Sequence, residues 1–329
     1  MFFNFKHKIF GINNNHVFDK TALEIFHYQA DFNKIYKAYI NHLGILPEQV
    51  KTLLQIPFLP IDFFKTQDVI TEKKEPERIF TSSGTTGAST SRHLITDVSV
   101  YEESFIKTFE LFYGDIRNFC ILALLPSYIE RDDSSLVYMI SKLIQKSGHP
   151  DSGFYLYNFD ELVCKLNRLL ENGQKILFFG VSFALLDFAE KHKMKLRNTI
   201  VMETGGMKGR REELTRKELH RILTKNFGIN EIHSEYGMTE LLSQAYSKGN
   251  GLFYPPPWMK VIIRDTYDPF CWLNKGRSGG INVIDLANYN TCSFIETKDL
   301  GRLSANKTFE ILGRFDNTDI RGCNLLIEE

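Results

Sequence analysis

Thr81-Ser82-Ser83-Gly84-Thr85-Thr86-Gly87 is the stretch on which the reading of this chain turns. Hydroxyls packed between glycines make a loop suited to phosphate. Glycine lets backbone N–H groups approach an anion closely, and each hydroxyl adds a donor that can turn toward an oxygen. Taken alone, the run fits a polar surface turn equally well. Three blocks far downstream tip the balance: His233-Ser234-Glu235-Tyr236-Gly237-Met238-Thr239-Glu240, Asp299-Leu300-Gly301-Arg302 and Gly313-Arg314-Phe315-Asp316.

Between the loop and these blocks the chain alternates. Apolar runs at Cys120 to Leu125, Lys175 to Phe179 and Thr199 to Met202 are separated by helical patterns at Ser134 to Ile144, Phe183 to His192 and about Arg211 to Phe227. Short apolar runs bounded by turns are what strands buried on both faces produce, so the spacing predicts a parallel sheet with crossover helices in an α/β core. Upstream, Leu23, Phe26, Ile35, Tyr36 and Ile40 fall on a helical stripe from Asp19 to about His42. Pro47, Pro57 and Pro60 then exclude long helices. Downstream of Glu240, β-prone stretches at Met259 to Ile263, Gly280 to Ile284, Cys292 to Glu296 and Thr308 to Leu312 are punctuated by glycines, which predicts a small antiparallel subdomain. The expected organisation is an N-terminal helical cap over 1–55 within the same domain, a core over 56–313 and a short hinge-like tail over 314–329.

The 329 residues are 43% hydrophobic and 24% charged, ordinary globular usage. Forty basic residues balance forty acidic ones, so no overall field favours nucleic acid or an anionic membrane. Five cysteines, at 120, 164, 271, 292 and 323, show neither CxxC nor zinc-ligand spacing, which argues against a disulfide framework and points to a cytoplasmic setting. No run approaches about 18 apolar residues, so no membrane span is expected.

The four blocks, in that order, resemble the adenylate-forming superfamily of acyl-CoA synthetases, peptide-synthetase adenylation domains and luciferases. FTSSGTTG with SRH, LPSY with SSLVYM, GGMKG, EYGMTELLSQAY and GRFDNTDIRGC resemble its acyl-protein synthetase (LuxE-type) branch, from about Ile56 to Cys323. The resemblance implies an adenylate-forming fold that uses ATP and Mg²⁺ to activate a fatty or related carboxylic acid. The acyl group would then pass to a protein thiol, with an acyl reductase or a carrier protein as acceptor.

Adenylation needs the β- and γ-phosphates screened and the attacking carboxylate held in line. Thr81, Ser82, Ser83, Gly84, Thr85, Thr86 and Gly87 would supply the screening. Glu240 offers the hard oxygen that Mg²⁺ prefers. By resemblance, Thr239 would bond the α-phosphate and Tyr236 would lie against adenine, with Gly237 between them. Each alone reads as well as a turn threonine and a core tyrosine. Gly205 and Gly206 follow an apolar run where this fold lets backbone pass along the purine; a plain tight turn is the alternative. Asp299 and Arg314 look like ribose contacts, since a carboxylate and a guanidinium fork suit vicinal hydroxyls, although either suits a surface ion pair. Candidates for the acyl pocket are Arg92, His93, Tyr128 and Phe183. Arg92 is the cation nearest the position where family members carry a lysine, here Ser89-Thr90-Ser91, and it equally suits a surface arginine. His93 reads as a steering or basic group, or as a hydrogen-bonded structural histidine.

Cys323 matches the cysteine near the C-terminus that accepts the acyl group in the LuxE-type branch; the competing reading is an inert small hydrophobe. The chain stops fifteen residues beyond Arg314. The superfamily's C-terminal lid and its lysine are therefore expected to be absent, with a mobile tail from about Asp316 bringing the acceptor to the adenylate. Two other functions stay open at this level: a coenzyme A ligase of the phenylacetate-CoA ligase kind, and a nucleotide-binding partner subunit without turnover.

Overall fold

The computed structural model describes residues 5–82, 90–126, 131–206 and 214–314. Helices α1 (Lys6–Phe10), α2 (Asn15–Phe32) and α3 (Lys34–His42) come first. The single helix expected from Asp19 to His42 is thus two. Asn33 takes an extended conformation between them and caps α3, its side chain accepting from the Tyr36 N–H at 2.9 Å. The proline-rich stretch forms only 3₁₀ turns and a short strand, β1 (Leu59–Pro60), before α4 (Phe63–Thr66). An antiparallel hairpin follows, β2 (Arg78–Thr81) and β3 (Arg92–Ile95), whose connection carries the hydroxyl-rich loop.

The middle of the chain runs α5 (Val98–Tyr113), β4 (Cys120–Leu124), α6 (Ser135–Ser147), β5 (Gly153–Tyr155), α7 (Phe159–Glu171), β6 (Ile176–Val181), α8 (Ser182–Lys191), β7 (Thr199–Thr204), α9 (Arg216–Phe227), β8 (His233–Tyr236) and β9 (Ala245–Ser247). These strands form a six-stranded sheet in the order β5-β4-β6-β7-β8-β9, parallel throughout except for β9. Every residue of β4 and β6 is buried, as an unbroken apolar run requires when helices cover both faces. Helices α5 and α7 lie in segments where no element was read from the sequence. Helix α9 starts at a capping box: Thr215 and Glu218 each accept from the other's backbone N–H.

The remaining strands are β10 (Leu252–Phe253), β11 (Met259–Arg264), β12 (Ser278–Asp285), β13 (Phe294–Leu303) and β14 (Phe309–Arg314). They pair antiparallel in the order β10-β14-β13-β12-β11, with β1 added parallel to β13. The N-terminal helices are keyed into the 3₁₀ connection between β12 and β13. Gln29 Nε2 donates to the carbonyls of Asn288 (3.1 Å) and Tyr289 (3.0 Å), and Asn33 Nδ2 donates to that of Thr291 (2.7 Å). These are buried amides in register with buried carbonyls, so the contact is directional as well as apolar.

Candidate active site

The hydroxyl-rich loop leaves the hairpin at Ser82 and returns at Ser91, and the two serines close its root. Ser82 N–H donates to the Ser91 carbonyl at 3.0 Å, and Ser91 N–H donates to Ser82 Oγ at 2.9 Å. The Ser91 hydroxyl lies close enough to the carboxylate of Glu240 to favour its charged form. Glu240 therefore lies near the root of the loop although most of the parallel sheet separates it from Ser91 in sequence. Burial pushes its carboxyl above the ordinary carboxylate range, with the Ser91 hydroxyl and the charge of Arg314 acting against that shift.

The Thr239–Glu240 backbone is held from below. His93 Nδ1 lies 2.7 Å from the Thr239 carbonyl and its Nε2 lies 3.0 Å from Thr291 Oγ1. Asn288 Nδ2 donates to the Glu240 carbonyl at 2.7 Å. Both ring nitrogens of His93 thus have protein partners, and burial pushes its pKa down to about 4, so the ring is neutral near pH 7. His93 is buried, whereas Arg92 is exposed at the start of β3 and pairs with Asp68 at 2.9 Å. The cation at the loop's root is Arg131, whose Nη2 donates to Thr81 Oγ1 (2.6 Å) and to the Thr81 and Ser82 carbonyls (3.2 and 3.3 Å), while Nε holds Asp133 at 3.1 Å.

The other wall is built from β8, β13 and β14. Tyr236 is buried and donates its hydroxyl to Asp299 Oδ2 at 2.8 Å; its ring packs against Phe253 and Phe309. Asp299 Oδ1 lies 3.8 Å from Arg314 Nε, in register across β13 and β14. Burial raises the Asp299 carboxyl, against the Tyr236 hydrogen bond and the nearby arginines. The charges of Asp299 and Arg314 both reach Glu240, the arginine favouring its ionised form and the aspartate opposing it.

Two glycines shape the floor. Gly205 follows β7 at φ +70°, a left-handed conformation that suits glycine. A methyl on Gly237 would overlap Glu235 Oε1. Glu235 accepts from Thr204 Oγ1, and its carboxyl is pushed up to about 7 by burial, against the Thr204 bond and with help from the charge of Glu203. Gly206 is exposed beside Gly205.

Phe183 lies in α8 within the buried core. Ser83, Gly84, Thr85, Thr86, Gly87, Tyr128, Cys323 and the tail from Asp316 lie outside the described residues. Four free cysteines are described. Burial pushes Cys120 up to about 11 and Cys292 up to about 12, so neither is a ready nucleophile, whereas Cys164 and Cys271 are exposed. Among the described residues no three His, Cys, Asp or Glu side chains gather as a metal cluster, and no helix is long and apolar enough to cross a membrane. Sequence reading missed Ser91 as a partner of Glu240, Arg131 at the loop root, and Asn288 and Thr291 beneath Thr239–Glu240. None carries a motif of its own, and only the pairing of distant strands brings them here.

The parallel sheet with its crossover helices and the antiparallel sheet that follows it make up a fold shared with solved CoA ligases. ATP-bound MatB from Rhodopseudomonas palustris superposes with a TM-score of 0.55 and 17% identity, over 72% of this chain and 47% of MatB. An open conformation of 2-hydroxyisobutyryl-CoA ligase in complex with 2-HIB-AMP and CoA superposes with a TM-score of 0.70 and 10% identity, over 92% of this chain and 70% of that one. The same ligase in its thioesterification state gives 0.69 and 12%, over 93% and 70%. Identities this low establish a shared fold, and this chain spans about half the length of MatB. No curated protein sequence matches it. Residues 11–329 match the family described as acyl-protein synthetase, LuxE, and the chain belongs to that family.

Proposed function

We propose that this protein activates a carboxylic acid with ATP and passes the acyl group to a thiol. In the first step a carboxylate oxygen attacks the α-phosphorus and the bond to pyrophosphate breaks, giving acyl-AMP. In the second a thiolate attacks the acyl carbonyl and AMP leaves. The observation that supports this reading is that the buried Glu240 carboxyl feels the Ser91 hydroxyl at the root of the hydroxyl-rich loop together with the charges of Asp299 and Arg314, which pair with each other.

The residues divide the work. Thr81 to Gly87 would face the β- and γ-phosphates, Thr239 the α-phosphate, Asp299 and Arg314 the ribose, and Gly205, Gly206 and Tyr236 with Gly237 the purine side. The Tyr236 bond to one oxygen of Asp299 leaves the other facing Arg314, where the ribose hydroxyls would be met. Glu240 fits Mg²⁺: it is a buried oxygen donor near the root of the loop. Bound there, Mg²⁺ would screen phosphate charge and help the leaving group. Ser91 and the His93–Thr239 contact hold Glu240 and Thr239 in place without entering the chemistry.

Cys323 is the proposed acyl acceptor, supported by family membership and by the burial of Cys120 and Cys292. A fatty acid is the proposed substrate class, and a reductase or carrier protein the proposed onward acceptor. A second reading, transfer to soluble coenzyme A, is favoured by the CoA-bound ligase of the same fold. Intact mass after incubation with ATP, Mg²⁺ and a panel of carboxylic acids separates them. A covalent acyl adduct that Cys323→Ala abolishes supports transfer through the protein. Acyl-CoA formed without an adduct supports the second reading, and absence of acid-dependent pyrophosphate exchange defeats both.

A further inference from the structure

Glu203, at the C-terminal end of β7, is nearly inaccessible at 3% exposure, yet it is held as a carboxylate. Burial alone would raise its pKa; the His220 hydrogen bond, the charge of Arg216 and the nearby Ser234 hydroxyl outweigh that and lower it. The geometry is specific. Arg216 Nε donates to Glu203 Oε1 at 3.3 Å, with His220 Nε2 3.4 Å from the same oxygen. The Ser182 hydroxyl lies 2.9 Å from Glu203 Oε2 and also 2.9 Å from the carbonyl of Gly205.

Arg216 does not stop at Glu203. Its Nη1 donates to the Ile311 carbonyl at 3.2 Å, on β14 three residues before Arg314, and its guanidinium sits 4.9 Å above the ring of Phe253. Phe253 stacks on Phe309 at 5.6 Å, and both rings contact Tyr236, whose hydroxyl holds Asp299. One side chain at the start of α9 therefore touches both sheets: the parallel one through Glu203, Ser182 and the Gly205 turn, and the antiparallel one through Ile311 and the aromatic cluster beneath Asp299.

We propose that Arg216 is a positioning residue for the nucleotide, fixing the Gly205–Gly206 turn and the Asp299–Arg314 pair at a set separation. The inference rests on the nucleotide-site reading above. Its physical basis is that a buried carboxylate must keep a paired cation, so the strand bonded to that same cation is held along with it. Arginine is suited to this because its planar fork donates in two directions while its face rests on a ring. Lysine offers a single point charge with no flat face.

The test uses the full chain with Arg216→Gln, Arg216→Lys and Ser182→Ala. In acid-dependent pyrophosphate exchange, Arg216→Gln should raise KM for ATP about tenfold or more while KM for the carboxylic acid stays within about twofold. Hydrogen exchange without nucleotide should speed up together in the turn after β7 and in β14, leaving β4 and β6 unchanged. Arg216→Lys should restore protection of the turn more than that of β14, and Ser182→Ala should loosen the turn alone. An unchanged KM for ATP in a folded Arg216→Gln protein, or faster exchange confined to α9, overturns the proposal. Wild-type protein lacking acid-dependent exchange would sink the functional reading instead. ATP affinity by calorimetry, with the same hydrogen-exchange comparison, would then decide the role of Arg216.

Discussion

The two sheets meet at the candidate site but treat their acids differently. Glu203 and Glu235 stand at the ends of neighbouring parallel strands, β7 and β8, both shut off from water. Glu203 has Arg216 and His220 and stays ionised; Glu235 has a threonine hydroxyl and titrates near 7. In the antiparallel sheet, β13 alternates between buried and half-buried residues and β14 ends exposed, so Asp299 faces an arginine that keeps most of its surface in water. Where strands are covered on both faces, an acid must find a cation or give up its charge. Where one end of a sheet is open, solvent shares that task.

The largest effect that tests this contrast concerns Glu240, which lies between the two regimes: buried, yet placed for an incoming cation. Glu240→Gln keeps a partner for Ser91 and removes the charge. Acid-dependent pyrophosphate exchange should fall by about 10²-fold or more while the melting temperature at pH 7 does not drop. Exchange within a few-fold of wild type would take Glu240 out of the chemistry.

Next is Glu235. Its pKa rises from the ordinary 4.5 to about 7 in the folded protein, so the native state holds a proton that the unfolded chain has lost. Stability therefore falls as pH rises from about 4.5 to about 7, and Glu235→Gln removes the loss. The variant should gain on the order of 3 kcal/mol over wild type at pH 8, with the gap closing near pH 4, as read from urea unfolding at both values. A difference independent of pH would show that Glu235 has a charge partner after all.

A steric test of the same corner is smaller. Gly237→Ala forces a methyl against Glu235 Oε1 and should cost about 1–3 kcal/mol of stability. The double variant with Glu235→Ala should recover much of it, and equal losses in single and double variants would count against the contact. The smallest effect sharpens the contrast from outside. Arg92→Ala breaks only an exposed pair with Asp68, so stability should change by no more than about 0.5 kcal/mol. KM for ATP should stay where it was, and a several-fold rise would return Arg92 to the loop.

The apolar runs at Cys120, Lys175 and Thr199 were readable as buried parallel strands because short apolar runs bounded by turns and separated by helical patterns fit strands covered on both faces. The later strands were readable from their glycines, although β13 runs to Leu303, well past Glu296. Helices α5 and α7 escaped because no motif drew attention to their segments. In the site, Glu240, Asp299 and Arg314 stood out as motif residues. Their supports did not, since Ser91, Asn288, Thr291 and Arg131 are ordinary polar residues until a distant strand arrives beside them.

By itself the sequence determined most of the order of elements, the family and the motif residues Glu240, Asp299 and Arg314, because hydrophobic spacing and short motifs are local properties. The tertiary structure decided which residues of β3 are buried, which buried acid keeps its charge and which arginine contacts both sheets. Those outcomes depend on desolvation and on hydrogen-bond partners far apart in the chain, and neither exists until the chain has folded.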